Sequence, residues 1–215
     1  GVATAQPADD IQLGTVGKAV KGVEVKLGDF NEILLRGDSM FQGYYKNDEA
    51  TATTLKDGWL HTGDVGEWQG EHLRIVDRLK DIMITAGGKN LSPTEIENTI
   101  KASPYIKECI VIGEARKYVS ALIQIDFDTV AKWAEQERVA YTTFRSLSEH
   151  EQVNDLIQQE VNKGNDRLPQ VAQIKRFSLL TKELDHDDDE VTATMKVRRS
   201  KIYEKYTEVI ESLYA

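Results

Sequence analysis

The sequence predicts an α+β protein in two parts: a small β-rich, barrel-like segment at residues 1–79 and a compact α+β domain at residues 80–215. Up to residue 76, apolar residues come in short runs separated by turn glycines, as in small antiparallel sheets and barrels. From residue 93 onward, longer stretches follow the helical period. Between them lies a charged run, Asp77-Arg78-Leu79-Lys80-Asp81, with no long apolar stretch to bury it. We expect the boundary at this run.

In the first part, the pattern predicts short strands and one short helix. Asn47 is a favourable N-cap for a helix over residues 48–55, which Gly58 would end. Thr62-Gly63-Asp64 predicts a tight turn, and the residues around Gly70 predict a hairpin. The predicted strands are 23–27, 33–35, 65–68 and 73–76.

The segment after the charged run combines a strand, a glycine turn and a strong helix start. Ile82-Met83-Ile84 predicts a short strand, and Gly87-Gly88 allows a positive φ or a close approach of the backbone to a ligand. Ser92 can cap the amide of Glu95, with Pro93 at the first helical position. A flexible joint, followed by a glycine turn that is attached to a well-capped helix, indicates a loop that moves as a rigid unit.

The second part predicts three more strands among its helices. Its last helix carries its apolar residues on one face, at helical offsets from Ile202 to Leu213. The predicted strands are 109–112, 119–125 and 174–180, and the helices before the last one are 93–102, 128–138 and 149–163.

Composition excludes several classes of function. The chain has 36 acidic and 27 basic side chains and a net charge of −9, which disfavours nucleic acid as a partner. It has no run of about 18 apolar residues that could span a membrane, and no Gly-x-x-x-x-Gly-Lys-Ser/Thr motif of a phosphate-loop NTPase. A single cysteine, Cys109, excludes an internal disulfide and suits a reducing cytosol. Because Cys109 has apolar neighbours, we expect it in the core.

A few residues could carry chemistry. The carboxylate of Asp64 matches the paired donors of a ribose diol, but an aspartate that serves its own turn would look the same. Arg78 offers a planar fork for ribose or phosphate oxygens, although Arg78 and Lys80 alone are more typical of a solvated surface. Lys196, on a short loop before a helix, could deliver a positive charge to a carboxylate that attacks a phosphate, or could simply begin a basic helix. We expect Arg198 and Arg199 to face solvent.

The acidic run Asp185–Glu190 is the one segment that suggests a metal site. It lacks the alternating ligands and central glycine of a calcium loop. We therefore expect a solvated loop and predict no metal site within this chain.

Taken in order, the motifs resemble those of the adenylate-forming acyl-CoA synthetases, and most closely the long-chain fatty acid–CoA ligases (AMP-forming). The resemblance covers nearly the whole chain from about Gly14. Its segments are Gly37–Tyr44, Gly58-Trp59-Leu60-His61-Thr62-Gly63-Asp64, Asp77–Asp81, Gly87-Gly88-Lys89-Asn90 with Pro93 and Glu95–Glu97, Ser103–Glu108, and Glu190–Lys196.

The resemblance implies a two-step reaction of ATP, fatty acid and coenzyme A. Asp64 and Arg78 would bind the ribose of ATP or AMP, and Lys196 would be the catalytic residue of adenylation and also contact the nucleotide. Lys80 would be a hinge. The Gly87-Gly88-Lys89 turn would bind coenzyme A. Residues 1–79 would be the end of a large adenylation domain, and residues 80–215 a mobile C-terminal lid.

The resemblance also implies that parts of such an enzyme are absent here. The upstream phosphate loop, the acyl pocket and the glutamate segment that holds Mg²⁺ have no counterpart in this sequence, and the chain has neither an initiator Met nor a signal peptide. We expect this chain to be the C-terminal portion of a longer cytoplasmic enzyme and to be inactive without the N-terminal domain. A peripheral contact of the enzyme with a membrane is compatible with the sequence. The motif around Lys196 has Ala193 where a proline is usual, which would loosen the loop.

Two alternatives stay open. A fatty acyl–AMP ligase, or another adenylate-forming enzyme, would pass the acyl group to a carrier protein instead of coenzyme A. A non-catalytic interaction module derived from the lid belongs to a different class, and the presence of Asp64, Lys80 and Lys196 argues against it.

Overall fold

The computed structural model describes residues 2–215 and divides the chain into two compact units. The first unit ends at Ile82, and the second comprises Met83–Ala215. Both are built from strands and helices, so the predicted α+β class is confirmed. None of the helices in the described part of the chain has the length and apolar character needed to cross a membrane.

The first unit contains a five-stranded sheet with one short helix beside it. The strand order is β3-β4-β6-β5, with β7 paired to β6, and a separate small pair joins β1 to β2. Its elements are β1 (Thr4–Ala5), β2 (Lys18–Ala19), β3 (Val23–Leu27), β4 (Glu32–Gly37), α1 (Asp48–Thr54), β5 (Leu55–Lys56), β6 (Trp59–Gln69) and β7 (His72–Arg78).

Strand β6 differs from the prediction of a tight turn at Thr62-Gly63-Asp64. The three residues lie inside one long strand, and Gly63 has a φ of +70°. The pairing of β6 with β4 changes register between Glu32 and Leu34, so an irregularity and not a turn accommodates Gly63. In the sequence, Gly63 indicates a turn because it interrupts the alternation of side chains that is typical of a strand.

Two other predicted features of this unit are confirmed. The side chain of Asn47 accepts a hydrogen bond from the amide of Ala50 and so caps α1. Strands β6 and β7 form an antiparallel hairpin through Gly70, whose φ is +64°.

The second unit holds a three-stranded sheet in the order β10-β11-β12, in which β10 and β11 are antiparallel and β11 and β12 are parallel. A 3₁₀ turn, Leu79–Asp81, precedes this unit. Its elements are β8 (Met83–Ile84), β9 (Asn90–Leu91), α2 (Pro93–Ile100), β10 (Ile106–Ile112), β11 (Val119–Ile125), α3 (Phe127–Gln136), α4 (Phe144–Ser148), α5 (Glu151–Asn165), β12 (Ile174–Leu179), α6 (Arg199–Lys205) and α7 (Thr207–Ser212).

Alternation along β10 and β11 divides the core of this unit into two clusters. One face of the sheet, with Cys109, Val111 and Ile123, packs with residues of α2, α3, α4 and α5. The other face, with Ile110 and Leu122, packs with residues of α6 and α7. The free thiol of Cys109 is buried, as predicted, and burial raises its pKa well above the usual value.

The predicted last helix is in fact two. Helix α6 ends at Lys205, α7 begins at Thr207, and Tyr206 between them departs from helical geometry with a φ of −106° and a ψ of +21°. The apolar face that was predicted survives the break, because Ile202, Tyr206 and Leu213 all belong to the same core cluster.

Candidate functional site

Asp64 and Arg78 lie directly opposite each other on β6 and β7. The Arg78 Nε donates to Asp64 Oδ1 across 2.9 Å, and the Arg78 and Asp64 side chains are 60% and 31% exposed, respectively. The carboxylate and the guanidinium thus present a charged pair to solvent from adjacent strands. Carboxylate oxygens can accept from the hydroxyls of a sugar, and the remaining guanidinium N–H groups can donate to its oxygens.

A largely buried carboxylate, Glu32, supports the strand irregularity next to Asp64. Glu32 accepts a hydrogen bond from the amide of Gly63 at 3.0 Å and one from His61 Nδ1 at 2.8 Å. The hydroxyl of Thr62 donates to the carbonyl of Ile33 at 2.8 Å, and the amide of Asp64 donates back to that hydroxyl at 3.1 Å. These contacts hold residues 61–64 against β4 and thereby fix the position of Asp64.

The Gly87-Gly88-Lys89 turn forms the tip of the β8–β9 hairpin. The amide of Gly88 donates to the carbonyl of Thr85 at 2.8 Å, and the amide of Thr85 donates to the carbonyl of Lys89 at 3.0 Å. Gly88 has a φ of +72°, which favours glycine, whereas Gly87 does not require a positive φ. All three residues of the turn are exposed, and a side chain at Gly87 would meet only Thr85 Oγ1, at 3.9 Å.

The helix after this turn begins as predicted. The hydroxyl of Ser92 accepts from the amide of Glu95 at 3.0 Å, and Pro93 occupies the first turn. Leu91 and Ile96, on either side of the cap, are both buried in one core cluster. The hairpin is therefore attached to a helix whose start is fixed by hydrogen bonds and by packing.

Lys196 lies at the end of a tight loop, Thr192–Lys196, and is exposed. The amide of Thr192 donates to the carbonyl of Lys196 at 2.8 Å, and the amide of Lys196 donates to Thr192 Oγ1 at 3.1 Å. Met195 takes a left-handed conformation with a φ of +59°. An antiparallel bridge between Val191 and Val197 closes the base of the loop. The ammonium group is thus presented from a loop that its own backbone hydrogen bonds keep in shape.

Lys80 lies in the 3₁₀ turn that ends the first unit and is exposed. The division between the two units falls between Ile82 and Met83, just after this turn. Asp64 and Arg78 therefore belong to the first unit, whereas the glycine hairpin and Lys196 belong to the second.

The prediction that Arg199 faces solvent is wrong. Its guanidinium donates to Glu97 Oε1 at 2.6 Å, and that same oxygen accepts from the amide of Val111 at 2.8 Å. Burial raises the pKa of Glu97, although Arg199 opposes this effect. The pair joins α2, which follows the glycine hairpin, to α6, which follows the Lys196 loop.

The prediction of a solvated loop at Asp185–Glu190 is also wrong at its last residue. The side chain of Glu190 is fully buried, and Lys182 and Lys205 both bond to it. Asp189, by contrast, is exposed and bonds to Arg198. In the part of the chain that the structure describes, no group of three or more His, Cys, Asp or Glu side chains is arranged to hold a metal ion.

Residues 80–215, more than half of the chain, match the protein family described as the AMP-binding enzyme C-terminal domain. The chain belongs to this family. The match begins at Lys80, next to the division between the two units.

Relatives of this AMP-binding family member align along its whole length. The Mycobacterium tuberculosis protein FadD11, whose name places it among the fatty-acid–CoA ligases, is 42% identical over all of this chain and 38% of its own length. The long-chain fatty-acid–CoA ligase FadD15 of the same species is 36% identical over all of this chain and 36% of its own length. The chain therefore spans about two fifths or less of the curated relatives it matches.

Solved structures support the fold of this family. The adenylation domain of a Mycobacterium chelonae carboxylate reductase is 24% identical, with a TM-score of 0.69, over 94% of this chain and 32% of that protein. An ATP-bound RpMatB–BxBclM chimera is 25% identical, with a TM-score of 0.63, over 96% of this chain and 39% of that protein.

Three groups near the predicted residues were missed from the sequence: Glu32, the Glu97–Arg199 pair and Glu190. Each is a charged group whose partners lie outside its own strand, helix or turn, from 5 residues away for Glu190 to 102 for Glu97, so local patterns carry little signal for them. The weak signal for Glu190 is its place immediately before Val191-Thr192, where the acidic run gives way to residues typical of strands.

Proposed function

We propose that this chain is the C-terminal part of an AMP-forming long-chain fatty acid–CoA ligase. The proposal is supported by the two mycobacterial relatives, which are named as fatty-acid–CoA ligases and align with the chain from end to end. In this proposal, residues 1–79 complete a large adenylation domain and residues 80–215 form a mobile lid. Residues 1–215 alone would lack the acyl pocket and would be inactive.

The proposed reaction has two steps. A carboxylate oxygen of the fatty acid attacks the α-phosphorus of ATP, the bond to the β-phosphate breaks, and pyrophosphate leaves. The sulfur of coenzyme A then attacks the acyl carbon of the adenylate, the acyl C–O bond breaks, and AMP leaves. Mg²⁺ would offset the charge of the phosphates in the first step, held by residues outside this chain.

In the first step, Asp64 would accept hydrogen bonds from the ribose hydroxyls, and Arg78 would donate to the same sugar. Lys196 would stabilise the negative charge that develops between the attacking carboxylate and the α-phosphate. The observation that supports this role is the loop of Lys196, whose hydrogen bonds fix the backbone position from which the lysine side chain extends.

In the second step, the Gly87-Gly88-Lys89 turn would lie against coenzyme A. The absence of side chains at both glycines leaves backbone open to the pantetheine arm, and Lys89 adds a positive charge beside it. Lys80 would be the hinge about which residues 80–215 rotate. This rotation would move the Lys196 loop away from the reacting atoms and bring the glycine turn to them. We expect the complete enzyme to act in the cytoplasm, consistent with the single unpaired cysteine.

The test separates the two half-reactions in the complete ligase. Lys196→Ala should slow acyl-adenylate formation by about 10²–10³-fold, the usual effect of removing one preorganised group at the reacting atoms. Conversion of supplied acyl-adenylate to acyl-CoA should stay nearly intact. Rapid-quench measurement of each step gives the result, and Lys201→Ala, an exposed lysine of α6 that pairs with Glu204, is the matched control. Equal damage to both steps would contradict the role of Lys196.

A further inference from the structure

Glu190 is a buried carboxylate whose oxygens are all occupied. Its Oε2 accepts from Lys182 Nζ at 2.7 Å and from the amide of Asp185 at 3.0 Å. Its Oε1 accepts from Lys205 Nζ at 2.8 Å and from the hydroxyl of Tyr206 at 2.9 Å. The side chain has no exposed surface, whereas the two lysines are 38% and 40% exposed. Such a fully satisfied buried group fixes the arrangement of the segments that supply its partners.

The partners of Glu190 come from both sides of the Lys196 loop. Lys182 and Asp185 precede the loop along the chain, whereas Lys205 ends helix α6, which follows the loop, and Tyr206 comes directly after Lys205. The carboxylate therefore ties the segment that enters the loop to the helix that leaves it.

A continuous set of backbone contacts leads from Glu190 to Lys196. The carbonyl of Glu190 accepts from the amide of Arg198 at 2.8 Å. The bridge between Val191 and Val197 follows, and then the hydrogen bonds between Thr192 and Lys196. Lys196 thus stands at the end of a short ladder whose first residue is Glu190. A shift of Glu190 would be transmitted to the loop, because successive contacts join residue 190 to 198, 191 to 197 and 192 to 196.

The charges around Glu190 favour its ionised form. Burial alone would raise the pKa of the carboxyl, but hydrogen bonds from Lys182 and Lys205 outweigh this effect and hold the pKa below its usual value. Asp188 also bonds to both lysines, but it is half exposed. Replacing Glu190 by glutamine would leave the two ammonium groups with Asp188 as their remaining carboxylate partner in the described structure.

We propose that Glu190 is a positioning residue for Lys196: its buried carboxylate holds the base of the loop so that the lysine meets the reacting phosphate. This inference rests on the proposed function of Lys196 in adenylation. It assigns a role to a residue whose side chain is fully buried, and it predicts a defect in one half-reaction only.

The test compares Glu190→Gln with wild type in the complete ligase, using ATP, palmitate and coenzyme A. Acyl-adenylate formation should fall by about 10–100-fold, because a displaced catalytic group loses its productive geometry. Thioester formation from supplied palmitoyl-adenylate should change by less than about twofold. Tyr206→Phe, which removes one hydrogen bond and keeps the ring, should give a smaller defect in the same step and keeps the test decisive if Glu190→Gln fails to fold.

Glu160→Gln is the matched control. Glu160 is also a buried carboxylate paired with a lysine, Lys163, but it lies on α5 beside the other core cluster. The Glu160→Gln substitution should leave the rates of both half-reactions unchanged. The role of Glu190 would be overturned if both steps fell equally in Glu190→Gln and Tyr206→Phe, or if neither variant lost activity. The proposed function would still stand in that case, provided that Lys196→Ala showed its own defect in adenylation. A wild-type ligase without adenylation activity would overturn both.

Discussion

Glu32 and Glu190 each accept hydrogen bonds from more than one group, and each supports a backbone segment that carries a residue proposed to act on the nucleotide. Glu32 binds the backbone next to Asp64, and Glu190 binds the base of the Lys196 loop. In both cases a carboxylate within the fold fixes the backbone that presents an exposed charged side chain. Burial and hydrogen bonding of the supporting group reduce the motion of the exposed one.

The role of Asp64 can be tested on nucleotide binding alone. In the complete ligase, Asp64→Ala should weaken ATP binding by about 1.5–3 kcal/mol, because charge-assisted hydrogen bonds to the ribose are lost. Isothermal titration calorimetry gives the affinity. Glu67→Ala is the matched control, since Glu67 pairs with Arg74 across the same two strands at 2.8 Å. Unchanged ATP affinity in Asp64→Ala would contradict the ribose assignment.

What the sequence could predict at this scale were residues that carry their own local signal. The capping role of Ser92 was evident from the residue types around it, because each partner lies within three positions. The burial of Glu190 is not evident from the sequence, because the acidic run before it is typical of solvent-exposed segments. Only the fold brings Lys182 and Lys205 to its two oxygens.

At the scale of elements, the second unit agrees with prediction better than the first. Strand β11 has the predicted bounds, and α2 begins at the predicted residue, because both follow one period without interruption. Strand β6 was missed where Gly63 breaks the alternation. The last helix was predicted as continuous, since its apolar face runs through Tyr206, where the backbone departs from the helix.

The glycine hairpin offers a prediction that separates stability from function. Gly87→Ala should leave the free energy of unfolding unchanged or raise it by about 0.4–1 kcal/mol, because the backbone at Gly87 needs no positive φ and the added methyl group meets no close atom. The rate of thioester formation should nevertheless fall at least about tenfold if coenzyme A lies against this backbone.

Urea unfolding of Gly87→Ala, followed by single-turnover assay of each half-reaction, gives both quantities. Acyl-adenylate formation is the internal control and should stay at the wild-type rate. Gly88→Ala is less informative, because its positive φ makes any side chain there strained. A normal rate of thioester formation in Gly87→Ala would remove the turn from the coenzyme A site.

At the scale of the whole molecule, the two units divide the candidate residues between them. The first unit carries the pair proposed to hold the ribose, and the second carries both loops proposed to act in turn. Within the second unit, the Glu97–Arg199 pair links the helices that follow these two loops, as the proposed lid would require.

Lys80→Pro tests that alternation in the complete ligase. Proline fixes φ at the joint, so the lid should keep one orientation and lose the other. If the fixed φ is that of the adenylation orientation, acyl-adenylate formation should survive and conversion of supplied acyl-adenylate to acyl-CoA should fall. Stopped-flow measurement of each step gives the rates, and Lys80→Ala, which keeps the backbone free to rotate, should retain both. If Lys80→Pro folds normally and retains both steps as well, rotation about Lys80 is not what exchanges the two loops.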